Sequence, residues 1–166
     1  NCTIAYSSSL DEGGAFHQTA GSLDLKNCIL WTNTAPTRGA DISSLAGSVD
    51  LNYNNFSGDS DLTAYVYGTV TKANSLTVDP LFASSTDLHI KSQEGRWDPD
   101  LNSGAGDFTN DVSATSLCID AGEPGGVATY TNEVPPNGPT VNLGAYRNTP
   151  EAFQTFGLPP PPTDPR

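Results

Sequence analysis

The chain has 166 residues, a formal net charge of −12, 16 glycines, 13 prolines and no methionine. That length suits one domain, the acidity opposes a nucleic-acid phosphate backbone, and no apolar run approaches the ~20 residues of a membrane span. Abundant Ser, Thr, Asn, Asp and Gly favour short strands and turns over long helices, while regularly spaced Val, Ile, Leu and Phe argue against disorder. The acidic surface suits calcium or a neutral or cationic partner better than an anionic polysaccharide, although acidity alone also keeps a surface protein soluble.

From the first residue, the chain repeats itself. "NCTI" at 1–4 returns as "NCIL" at 27–30, and "GGAFHQTAGSLDLKNCIL" at 13–30 returns as "GADISSLAGSVDLNYNNF" at 39–56. Within the longer pair Gly13/Gly39, Ala20/Ala46, Gly21/Gly47, Ser22/Ser48, Asp24/Asp50 and Leu25/Leu51 are identical. A fixed period of this size marks repeat architectures. Apolar residues alternate with polar ones, as in Leu23-Asp24-Leu25 and Val49-Asp50-Leu51, and period two is the mark of a strand with one face inward. Short strands are therefore predicted around Ala15–Phe16 and Asp41–Ile42, over Leu23–Leu25 and Val49–Leu51, and over Cys28–Leu30 and Asn54–Phe56. Bends fall at Lys26-Asn27 and Asn52-Tyr53, since Asn tolerates the left-handed conformation of a sharp turn. "SLTVDPLF" at 75–82 reads as a third copy, with Leu76 and Val78 in the places of Val49 and Leu51.

Three strands per turn, stacked ~4.8 Å apart, make a parallel β-helix, right-handed by the usual rule for parallel crossovers. The expected fold is all-β: a right-handed parallel β-helix of about three coils of ~26 residues over 1–82. An irregular C-terminal cap follows over 83–153, and 154–166 form a Pro-rich tail. Asn1 should lie over Asn27 and Cys2 over Cys28. Three cysteines cannot all pair within one chain, so Cys2, Cys28 and Cys118 read as small apolar residues rather than a disulfide framework.

Beyond Phe82 come "DPLF", "DLHIKSQEGRWDP", "SLCIDAGEP" and "VNLGAYRNTPEA". In this order they resemble the C-terminal part of secreted bacterial right-handed parallel β-helix repeat proteins of the pectate-lyase-like superfamily, over most of residues 1–153. The resemblance speaks to the fold and to the end of the helix, since members include lyases, hydrolases and adhesins. Closing the exposed end of a stack is the expected task of this region. Leu81, Phe82, Leu88, Ile90, Trp97, Cys118, Ile119, Leu143 and Tyr146 are its expected core. The chain starts with Asn rather than Met, which reads as a processed product, an excised domain or a fragment.

Signs of catalysis are missing from the sequence. The Asn-Thr-Asp, Asp-Asp, Gly-His-Gly and Arg-Ile-Lys strings that the resemblance to polygalacturonase-like enzymes would imply do not occur, and no basic residues align for lyase chemistry. Lys26, Arg38, Lys72 and Lys91 read as solvated charges. His17 stacks on Ser43 rather than on an acid, and alternation turns His89 away from Leu88 and Ile90, so neither fits a triad. Asp98, Asp100 and Asn102, with Asp107 further along, offer the alternating oxygens that calcium takes. Ser103 stands where the glycine of a calcium loop belongs, and Asp and Asn also favour turns. "SGDSD" at 57–61 is a weaker version of that pattern, and Asn1 and Asn55 open N-glycosylation sequons.

The expected function is a non-catalytic structural module of an extracellular or cell-surface protein, in a filament or adhesive layer, with no catalytic residues and Ca2+ as its candidate cofactor. Its partners are copies of itself or an upstream β-helix segment, with no nucleic acid and no membrane span. The rival is a carbohydrate-binding or polysaccharide-degrading domain, with Trp31, Tyr53, Tyr65 and Tyr67 as stacking surfaces for glycans.

Overall fold

The computed structural model describes residues 1–58, 65–124, 138 and 140–154. Their regular structure is almost all strand: β1 (Thr3–Ala5), β2 (Phe16–Gln18), β3 (Ser22–Lys26), β4 (Ile29–Trp31), β5 (Ile42–Asn52), β6 (Asn55–Phe56), β7 (Val66–Ala73), β8 (Arg96–Asp98) and β9 (Asp107–Thr109). Among the described residues a short helical turn spans Leu101–Gly104, and its Asn102 and Ser103 are left-handed. No helix among the described residues is long and apolar enough to cross a membrane.

The sequence repeat appears as parallel pairing at constant register. Thr3 pairs with Ile29, Phe16 with Ile42, and Leu23 and Leu25 with Val49 and Leu51. One sheet runs β1-β4-β6, and a second runs β2-β5-β3 with β7 on the far side of β5. Bends recur at the same places: Asn27, Tyr53 and Asn74 are all left-handed, as are Gly13 and Gly39. The bend is thus set by backbone position, and Tyr53 accepts a conformation that favours Asn or Gly.

The third copy departs from the expected register. Val70 and Lys72, not Leu76 and Val78, pair with Val49 and Leu51, and Leu76 instead bridges to Asn55. Ser43 pairs with Tyr67 and Ser48 with Thr69, so Ser44, Leu45, Ala46 and Gly47 face Gly68 alone. That bulge shortens the return, and Asn54 meets Ser75 at a separation of 21 residues where Cys28 meets Asn54 at 26. "TVTKANSL" and "SLTVDPLF" both alternate, and alternation alone does not choose between them.

Inside the passes lie Leu25, Cys28, Leu30, Ile42, Val49, Leu51, Phe56 and Val66, with Cys2 and Leu23 packed against them. Each such Leu, Ile, Val or Phe side chain contributes ~1.5–3 kcal/mol when fully buried. Asn54 stands in this interior where Cys28 stands one pass earlier. Its side-chain oxygen accepts from Cys28 N at 2.9 Å and its amide donates to the Leu25 carbonyl at 2.8 Å, so a buried polar side chain is satisfied.

A second cluster contains Ile29, Phe82, Ile90, Cys118, Ile119, Leu143 and Phe153, with Ala5, Trp31, Leu88 and Tyr146 against it. Most of the expected cap residues are here, but they lie against the outer face of β1 and β4 rather than only beyond the last strand. Gly144 N donates to the Asn27 carbonyl, Ala145 N to Thr3 Oγ1 and Glu123 N to Asn27 Oδ1. The C-terminal region is therefore a flank that reaches the first pass. Trp97 packs elsewhere, edge-on to Phe108 between β8 and β9.

Candidate functional site

Three places gather polar chemistry, and the first is built around Arg96 at the start of β8. Its side chain is almost buried, and its guanidinium meets Asp111 at 3.2 Å, Asp87 at 3.3 Å and Asp98 at 3.4 Å. It also donates to the Trp97 carbonyl. A forked cation suits several carboxylates at once, so Arg96 ties the 87 turn to β8 and to the segment just after β9. Asp87 reaches on to His89, with Nδ1 at 2.6 Å from its Oδ1, and His89 Nε2 lies 3.6 Å from Glu151. The imidazole is 3 % exposed and stacked on Tyr146 at 3.6 Å. Burial, then Asp87 and Glu151, push the Tyr146 phenol above its ordinary range.

This network corrects the reading of His89 as a side chain merely opposed to the core. Alternation placed it on the other face from Ile90, but Tyr146 and Phe153 cover that face too. No sequence motif singles out Arg96. The carboxylates around it, scattered over 87–111, are the signal that a charge count of this segment offers.

Of the candidate calcium ligands, Asp98 and Asp107 face each other across β8 and β9. Asp98 also accepts from Arg96 and from Asp100 N, and Asp107 accepts from Phe108 N. Asp100 precedes the Leu101–Gly104 turn and Asn102 lies within it, so all four belong to one hairpin. Among the described residues no group of three His, Cys, Asp or Glu side chains is placed to hold a metal ion. Of "SGDSD", residues 59–61 lie outside the described residues.

The second place is the outer face of the β2–β5–β7 sheet. His17 does pair with Ser43, but an acid is near after all: Glu12 lies 3.8 Å from His17, bonds Arg38 at 2.5 Å and accepts from Ser43 Oγ at 2.8 Å. The Arg38 and Ser43 hydrogen bonds hold the Glu12 carboxyl below its usual value. Arg38 is less free than a solvated charge, since its guanidinium covers the Tyr67 ring at 4.3 Å. Beside them the bulge opens a cleft of about 480 Å³, lined by Ser44–Gly47 and Val66–Thr69. Leu45 and Tyr67 are exposed in it. Of the other candidate aromatics, Trp31 packs on the C-terminal flank and Tyr65 on the interior.

The third place is the edge of the first pass. Among the described residues β1 has only β4 as a strand partner, and β2 and β3 have only β5. At the other end β7, among the described residues, pairs only with β5, and Tyr67–Ala73 are exposed or half-buried. Asn55, by contrast, is fully buried, with its amide clasping the Val78 backbone in both directions, so its sequon is inaccessible in the folded chain.

No protein-family model, curated protein or solved structure matches the chain.

Proposed function

We propose that this chain is a right-handed parallel β-helix and a non-catalytic structural module of an extracellular or cell-surface protein. In this reading the edge of its first coil takes further strands, from a copy of itself or from an upstream β-helix segment. The observation that carries it is that, among the described residues, β1, β2 and β3 each pair on one side. Unpaired strand edges are templates for further pairing. Because β7 is also paired on one side among the described residues, the edge of β7 in one copy suits β2 and β3 of the next. Such a head-to-tail contact propagates into a filament unless it closes into a ring.

The test is size-exclusion chromatography and electron microscopy of the chain over a range of concentrations. Elongated, concentration-dependent species are expected. A dispersed monomer whose first-pass amides are protected from hydrogen exchange overturns the proposal.

A second reading, carbohydrate binding, is favoured by the cleft at the bulge, where Tyr67 stands beside polar backbone. A glycan array and a reducing-sugar assay, with and without calcium, distinguish binding, cleavage and neither.

A further inference from the structure

We propose that Cys2 and Cys28 are an oxidisable pair that closes into a disulfide and staples the first pass of the chain to the second. Their sulfurs lie 3.5 Å apart on neighbouring passes. The backbone already holds the two residues in register, because Ile29 N donates to the Cys2 carbonyl at 2.9 Å and Thr3 pairs with Ile29. Adjacent strands run ~4.8 Å apart, within the ~4.4–6.8 Å that separates the Cα atoms of bridged cysteines. Side-chain movement that brings the sulfurs from 3.5 Å to the ~2.05 Å of a bond completes the link.

The pair is asymmetric in a useful way. Cys2 is half-buried just before β1, where a small oxidant can reach it, and Cys28 is buried beside it on the next pass. Cys118 belongs to the separate C-terminal cluster, and burial pushes its thiol up to about 12. It is therefore a poor competitor, because the thiolate is the reactive form.

The oxidant is a low-molecular-weight disulfide such as oxidised glutathione. The Cys2 thiolate attacks one of its sulfurs, forming a mixed disulfide and releasing one glutathione thiol. Cys28, deprotonated in its turn, attacks Cys2 Sγ and releases the second. Two protein thiols become one disulfide, and one glutathione disulfide becomes two thiols. Burial and the neighbouring Cys28 hold the Cys2 thiol above its ordinary range, so the first step quickens as the pH is raised.

The experiment treats the full chain with oxidised glutathione and follows intact mass and thiol alkylation under denaturing conditions. The expected product has lost the mass of two hydrogens and keeps one alkylatable thiol, at Cys118. Trypsin cuts after Lys26 and Arg38, so the bridge appears as residues 1–26 linked to 27–38 and disappears on reduction. Cys28→Ser is expected to retain glutathione on Cys2, because no second thiol resolves it. Three alkylatable thiols after treatment, a glutathione adduct that persists on Cys2 of the parent chain, or a link through Cys118 each overturns the proposal. Should Cys28→Ser fail to fold, the mass and peptide map of the parent chain decide alone.

Discussion

Replacing Asp41 with asparagine isolates the cost of a carboxyl buried between the passes. Asp41 has no exposed surface, and Asn33 Nδ2 donates to its Oδ1 at 2.8 Å, while Oδ2 has no hydrogen-bond partner among the described residues. Burial pushes this carboxyl from 3.8 up to about 7, and the Asn33 hydrogen bond only partly opposes it. A group whose pKa is raised on folding contributes stability that is complete below the unfolded value and lost as the pH rises through the folded one. A shift of about 3 units at ~1.36 kcal/mol each makes the cost ~4 kcal/mol above neutrality. That is a large share of the ~5–15 kcal/mol typical of a domain. The substituted asparagine keeps the acceptor for Asn33 and cannot ionise. Urea unfolding of parent and variant, followed by Trp fluorescence at about pH 4 and about pH 8, reads the difference directly. The variant is expected to gain ~4 kcal/mol on the parent between the two conditions. Parallel stability curves for the two proteins, or a carboxyl NMR titration of Asp41 in the ordinary range, would refute the reasoning.

Four further outcomes follow from particular contacts. Phe56 is fully buried in the interior, so Phe56→Ala is expected to cost ~3–5 kcal/mol in urea unfolding. Gly39 has φ +62°, and a Cβ there lies 2.1 Å from the Ile42 carbonyl oxygen; Gly39→Ala is expected to cost ~1–3 kcal/mol, read as a lowered Tm. Arg38→Gln should bring the Glu12 carboxyl back up toward 4.5, visible by carbon NMR. The parent's Glu12 contributes stability present above its unfolded value and lost as the pH falls through its lower folded value, so the variant is less acid-sensitive there. Closing a Cys2–Cys28 bridge, 26 residues apart, is expected to stabilise the chain by ~3 kcal/mol through loop entropy, measured as the Tm difference between oxidised and reduced protein.

The sequence by itself determined the first two passes. Leu23, Leu25, Val49 and Leu51 alternate, Gly13 and Gly39 recur, and Cys2 lies over Cys28, because in-register parallel pairing stacks equivalent residues. A bend near Asn27 was legible for the same local reason, as was the strand content.

Only the tertiary structure decided the rest. Alternation says that two faces differ, not that one of them is wet: Leu30 faces the interior and Ile29 the C-terminal flank, and both are buried. Distant residues supply that second cover, as when Glu123 reaches Asn27, and no local pattern encodes such a contact. The same reason hides the Arg96 network, whose carboxylates come from separate turns, and the burial of His89 beneath Tyr146. It also hides the register of β7, because two alternating segments compete for β5 and the bulge at Ser44–Gly47 settles which one pairs.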